Sequence, residues 1–404
     1  MNRIILIGNG FDLAHNLLTS YKDFINWYWE ERVKGFAGNL THISEDILCS
    51  FKSLGDDVWN VYAHYGLRLG LGKTGSEIID YINNNKTYFE TNYSSFFSNI
   101  LSSIETFGWV DVENEYYKLL KLYTIKHLDV DVSNLNEQLQ HLRILLTRYL
   151  RIENNKKVEI KEILRKRIYE PINPKDVSIE ATNSFYDNIN TWLNTDPKRW
   201  DYKLNDYGYS RTQIQDFIYD VDEYKKDSNK SKIAPALFRL PDKIMFLDFN
   251  YTQTASNYIK DRQIFIHNQI HGQLEHPETI IFGYGDEMDE QFKQIQNLNK
   301  QEYLKNIKSI NYMNSSNYRK VLEFIESDLF QIYIMGHSCG NSDRTLLNTL
   351  FEHKNCISIK PFYHIEDDGS DNYIELIQNI SRNFTDMKLM RDRVVNKNYC
   401  ETIA

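Results

Sequence analysis

The chain's 404 residues are too many for one minimal core and suit either one elaborated domain or two that share a boundary. Apolar residues make up 41%, charged residues 25% and aromatics 14%, a globular balance that excludes a mainly disordered chain. A net charge of -9 excludes a uniformly basic nucleic-acid-binding surface, leaving only local patches to consider.

The first element is Ile4–Ile7, a continuous β-branched run of the kind buried on both faces of a parallel sheet, ended abruptly by Gly8-Asn9-Gly10. Ser20 then reads as the N-cap of a helix whose Phe24, Ile25, Tyr28 and Trp29 share one apolar face. From there to about residue 237 the periodicity is helical, as in Leu135, Leu139, Leu142 and Leu146, and this stretch is expected to be all-α. Within it, Lys161, Arg165, Lys166 and Arg167 alternate with acids, which predicts a solvated helix face. Asp111 and Glu113 are either acids reaching a cleft or ordinary first-turn acids complementing a helix dipole.

At Pro241 the texture changes. Ile244–Phe249, Ile264–Ile266, Thr279–Phe282, Gln331–Met335 and Ile357–Tyr363 read as strands, separated by helical patterns over 302–307, 318–326, 344–351 and 372–384. With the N-terminal strand they predict an α/β fold with a six-stranded, mostly parallel, Rossmann-like sheet. That sheet domain is discontinuous, 1–20 with 238–404, and 21–237 is an all-α insertion after the first strand. The polar run Lys225–Lys232 supports a boundary just before Pro241.

Three strand-to-helix junctions carry candidate chemistry. Gly8-Asn9-Gly10-Phe11-Asp12 follows the first strand, where glycine lets a backbone approach a phosphate and a helix start favours an anion; a plain tight turn is the alternative. Asn250 follows the next strand, as a cap or a ligand contact. His271-Gly272 closes a β-rich segment, and its histidine is either structural or a base. The pair His267 and His271 lies in an extended segment without an HExxH glutamate, so no metal is expected there. Gly336-His337-Ser338-Cys339-Gly340 spells a nucleophile elbow, making a serine hydrolase with Ser338 an alternative. The acid would then have to be Asp343 or Glu352, close to the nucleophile in sequence.

Four scattered cysteines form no CxxC pair, and no apolar run approaches a membrane span or a signal segment, so a reduced cytoplasmic protein without a membrane partner is expected.

Taken in order, IGNGFDLAHNLLTSYKDF, FNYTQT, IHGQL and MGHSCGNSD resemble the AbiH family of bacteriophage abortive infection proteins, and the match runs along most of the chain. The same elements are similar to sirtuin-like NAD hydrolases of bacterial defence. The resemblance implies a sirtuin-like core with NAD as substrate and no metal, used to deplete NAD on infection. It places Gly8, Asn9, Gly10 and Asp12 at the diphosphate and ribose, Asn250 and His271 at the nicotinamide ribose as catalytic residues, and Gly336, Ser338 and Asp343 at the adenosine half. Asp12 stands where sirtuins carry a small hydroxyl residue, and Asn16 and Leu18 replace the Gly and Pro of typical members. Expected partners are NAD or a related nucleotide, a phage-derived activator and a second copy of the chain. A non-catalytic nucleotide sensor is the remaining alternative.

Overall fold

A computed structural model describes residues 1–38, 43–54, 74–107, 111–126, 128–226, 234–366 and 368–403. Its strands, in chain order, are β1 (Asn2–Ile7), β2 (Ile43–Glu45), β3 (Cys49–Ser53), β4 (Phe89–Tyr93), β5 (Ile244–Asp248), β6 (Phe265–Gln269), β7 (Phe330–Met335) and β8 (Cys356–Phe362). They form a five-stranded sheet, β6-β5-β1-β7-β8, and a three-stranded sheet, β2-β3-β4.

The larger sheet is parallel throughout. β1 is central and every residue in it is buried, as its unbroken apolar run requires. Alternate residues feed two cores: Ile5, Ile7, Phe246 and Tyr333 on one face, Ile4, Leu6, Met245 and Ile332 on the other. The second core is closed by the helices Asn317–Ser327, Arg344–Phe351 and Tyr373–Arg382, through Val321, Leu347 and Ile380. The chain builds outward from β1 to β5 and β6, then returns to add β7 and β8 on the other flank. The order therefore reverses between β1 and β7, and in open α/β sheets that point opens a crevice at the strands' carboxyl ends.

The predicted strand Thr279–Phe282 does not form, and the sheet has five strands rather than six. Pro277 opens a 3-10 turn over Pro277–Thr279, and the following residues run as an irregular buried segment held by the Ile281 N–H on the His271 carbonyl. Its apolarity reflected burial, not pleating.

The stretch expected to be all-α contains β2, β3 and β4, paired antiparallel. Strands of three to five residues with mixed polarity leave no periodic signal long enough to read. Residues 157–237 also differ from expectation, because they join the large sheet. Leu164, Ile168, Phe185, Trp200 and Leu204 share a core with Ile5 and Phe246, and Arg3, fully buried in β1, donates to the carbonyls of Ile168 and Glu170. One compact unit is thus Met1–Asn16, Lys157–Ile281 and Asn311–Ala404, and the other is Leu17–Lys156 with Phe282–Ile310. Of the polar run Lys225–Lys232, residues 227–232 lie outside the described residues.

In the second unit, helix Tyr21–Gly38 starts at Ser20 as expected, with the Ser20 hydroxyl accepting the Asp23 N–H at 3.1 Å. Phe24, Ile25, Tyr28 and Trp29 are buried. Asp111 accepts the Asn114 N–H at the start of helix Val112–Lys126, and Glu113 pairs with the buried Lys308 at 2.7 Å. Both acids are thus engaged in the unit's own framework. No helix among the described residues is long and apolar enough to cross a membrane.

Candidate functional site

The turn after β1 and the turn after β7 are packed backbone to backbone. A Cβ on Gly8 would lie 2.5 Å from His337 Cα, and one on Gly10 would lie 2.9 Å from Gly336 Cα. Gly336 has φ +77°, and a Cβ there would fall 2.0 Å from the Phe11 nitrogen. The Gly10 N–H donates to the Gly336 carbonyl (2.8 Å), the Gly8 N–H to Met335 (3.3 Å) and the Phe11 N–H to Gly8 (2.8 Å). The glycines therefore first serve close approach of two turns at the sheet's reversal point. The amide hydrogens of Gly8 and Gly10 are bonded within the protein.

Asn250, half-buried after β5, reaches into this junction and donates from Nδ2 to the Gly8 carbonyl at 3.0 Å. Its backbone N–H is held by Asp248 Oδ1 at 3.0 Å, and the other oxygen of Asp248 meets His267 Nε2 at 2.9 Å. Asp12 points to the same neighbourhood. It is 1% exposed, Oδ2 accepts the Thr252 hydroxyl at 2.6 Å, and Oδ1 has no hydrogen-bond partner among the described residues. Burial, reinforced by nearby Asp248, pushes its carboxyl up to about 6, against the opposing influence of Thr252, Thr254 and Asn250.

A second cluster surrounds His271, which follows β6. Its Nε2 lies 3.3 Å from Asp343 Oδ1 and 3.2 Å from the Tyr312 hydroxyl. Asp343 sits in the β7 turn, and its Oδ2 is 3.7 Å from His337 Nε2. The ring of Phe249 lies 5.2 Å from His271 and 4.1 Å from His337, centroid to centroid. Contacts thus run in a closed circuit from Gly8 to Asn250, along the chain to Phe249, and through His271, Asp343 and His337 back to Gly8. Gly8, Gly10, Asp12, Asn250, His271, Gly336 and Asp343 all belong to this neighbourhood, while Asn9 and Ser338 are exposed at its turns.

A family model described as Bacteriophage abortive infection AbiH matches residues 4–365. The chain belongs to the AbiH family. No curated protein and no solved structure matches it.

Within this AbiH chain, the hydrolase elbow is poorly served by the geometry. Ser338 is exposed, the strained positive φ of +55° falls one residue later at Cys339, and no hydrogen bond joins Ser338 to a histidine among the described residues. Glu352, the other acid considered for that reading, instead accepts from Thr385 and Asp386. His267 and His271 go to different carboxylates, Asp248 and Asp343.

Asn16 adopts φ +60° just past helix Asn9–Ala14, with its N–H on the Leu13 carbonyl. It is the left-handed C-terminal position for which glycine is the usual choice, and asparagine is the best substitute. Asn16→Ala is expected to lower stability by about 1 kcal/mol, whereas Asn16→Gly should be neutral or slightly stabilising, as read from denaturant midpoints.

Sequence reasoning missed Asp248, Thr252, Tyr312 and the His337 side chain. His337 lies inside the MGHSCGNSD motif and could have been paired with Asp343; Tyr312 belongs to no motif and only the fold brings it to His271.

Proposed function

We propose that this AbiH protein acts in phage defence as a cytoplasmic NAD hydrolase, using a Rossmann-like, sirtuin-like nucleotide site at the carboxyl edge of the five-stranded sheet. The observation that carries the reading is the convergence of the Gly8–Gly10 turn, Asn250 and the His271–Asp343 pair where the strand order reverses. The diphosphate and ribose are assigned to the β1 turn through exposed Asn9 and buried Asp12, with Gly8 and Gly10 seating that turn against β7, and the adenosine half to Gly336 and Ser338.

Cleavage needs little acid catalysis. The C1′–N bond breaks with its electron pair going to the nicotinamide ring, which leaves neutral, and the sugar passes through an oxocarbenium-like state. Asn250 offers an amide dipole beside that developing charge. Water adds at C1′, and its proton passes to His271. The products are nicotinamide, ADP-ribose and one proton. An infection-derived activator would release this activity, with NAD depletion halting phage growth.

The test compares cells expressing the wild type, Asn250→Ala or His271→Ala during phage challenge. NAD should collapse and phage titre fall only with the wild type, and turnover by either purified, folded variant should drop by about 100-fold or more. Protection by both variants without any fall in NAD would refute the enzyme reading and leave a nucleotide-binding sensor.

A further inference from the structure

Helix Asn9–Ala14, which carries Asp12 away from the glycine turn, is only six residues long, too short to hold its geometry without tertiary support. Its far end is tied down by a chain of hydrogen bonds. His15 Nδ1 lies 2.7 Å from the Phe11 carbonyl, His15 Nε2 lies 2.6 Å from the Tyr258 hydroxyl, and that hydroxyl accepts the Lys161 N–H at 2.8 Å. The group at each end of the chain has a single role. A carbonyl oxygen only accepts, so Nδ1 carries a hydrogen; a backbone amide only donates, so the Tyr258 oxygen receives Lys161 and its own hydrogen is left for Nε2. Burial holds His15 below the usual histidine range, against the influence of the Phe11 contact and together with that of the Lys161 charge. The neutral ring with its lone pair on Nε2 is the form that fits, and burial keeps the Tyr258 hydroxyl protonated to meet it.

We infer that His15 is a positioning residue for Asp12: as the neutral Nδ1–H tautomer it locks the end of helix Asn9–Ala14 to Tyr258 and so fixes the aim of the carboxyl group one turn earlier. The inference rests on the reading of Asp12 as a ribose contact, and it adds the device that holds that contact in place. The two anchors lie three residues apart and meet the same segment after β5, Asp12 at the Thr252 hydroxyl (2.6 Å) and His15 at Tyr258 in the turn Thr254–Tyr258. The His15 ring is seated between Phe11 and Tyr258, with centroids 4.8 and 5.4 Å away. Acid undoes the lock. Once Nε2 carries a proton, the Tyr258 oxygen confronts two donors and its own hydrogen loses its acceptor inside the protein. Of the ionisable groups around the ring, Tyr258 touches it, Lys161 acts on it by charge, and Arg165 and Glu162 act on the Tyr258 hydroxyl.

The test follows the His15 and Asp12 side chains by NMR on the full chain, which needs no turnover, together with the KM for NAD. At neutral pH, wild-type His15 should carry its hydrogen on Nδ1. Tyr258→Phe removes the donor to Nε2, so the His15 pKa should rise by about 1, and the Asp12 carboxyl, released toward water, should fall by about 1 from its folded value of about 6. The KM for NAD should rise about 5-fold, the loss of one well-aimed hydrogen bond. His15→Gln, whose terminal oxygen reaches the position of Nε2 and accepts from Tyr258, should leave Asp12 near its wild-type titration, whereas His15→Ala should move it as far as Tyr258→Phe does. That pair serves if Tyr258→Phe does not fold. A hydrogen on Nε2 in the neutral wild type, or unchanged His15 and Asp12 titrations in folded Tyr258→Phe, overturns the inference whatever the activity. The expected shifts in a protein that leaves NAD intact sustain the link from His15 to Asp12 and refute only the hydrolase reading.

Discussion

Gly336→Ala is expected to cost about 4 kcal/mol or more, a large fraction of the stability of an ordinary folded chain. Two effects combine. The residue's φ of +77° is a conformation that alanine adopts only at about 1–2 kcal/mol. The added methyl would also lie 2.0 Å from the Phe11 nitrogen and 2.5 Å from the Gly10 carbonyl carbon, both backbone atoms that cannot swing aside. Relief would require separating the β1 turn from the β7 turn and breaking the Gly10 to Gly336 hydrogen bond, next to the Gly8 carbonyl that Asn250 holds. Gly208 supplies the control. Its φ is +79°, yet a Cβ there meets nothing within 4 Å, so Gly208→Ala carries the conformational cost alone, about 1 kcal/mol. Urea unfolding of the two variants separates the contributions. Equal losses would mean that the turns are not packed as described, and the candidate site would lose its foundation.

How far the sequence announced this arrangement follows from what leaves a local signature. β1, β5, β7 and β8 were legible because a strand buried on both faces must be apolar at every position. The helices after residue 317 were legible because one buried face repeats every three to four residues. Thr279–Phe282 misled for the same reason that the strands were visible: Ile281 is buried, and burial alone does not specify hydrogen bonding to a neighbour. Helix Glu162–Tyr169 shows its apolar face in Leu164 and Ile168, but periodicity cannot say that the partners are Ile5 and Phe246, so the sheet's true extent was hidden. In the site, Asn250 and His271 stood out because each closes a strand at the same sheet edge. The Asp343–His271 contact joins residues far apart in sequence and is set by tertiary packing alone. The glycines were read as a phosphate cradle, whereas the contact that demands them most strictly is with the protein's own β7 turn.

Asp12→Asn should make the protein more stable above neutrality and less active. Asp12 has an ordinary carboxyl pKa near 3.8 when exposed and about 6 in the folded chain, where burial disfavours its charge. The folded state therefore binds more protons than the unfolded state between those values, so stability falls as pH rises through the interval and levels off above about 6. At pH 7.5 the ionised side chain costs the fold about 3 kcal/mol, since a tenfold change in proton affinity is worth about 1.4 kcal/mol. Below about pH 4 both states are protonated and the cost vanishes. Asparagine cannot ionise, its oxygen can still accept from Thr252, and its amide can occupy the position of Oδ1, which has no partner among the described residues. The variant's gain in melting temperature should accordingly be largest above pH 7 and fade toward pH 4. A pH-independent gain would show that packing rather than charge is responsible. A destabilised fold that tolerates this cost is what a binding site requires when it needs a buried, partly unsatisfied carboxylate for a ligand hydroxyl. On the proposed hydrolase reading, NAD turnover by the more stable variant should therefore decline, and retained full turnover would remove Asp12 from the site.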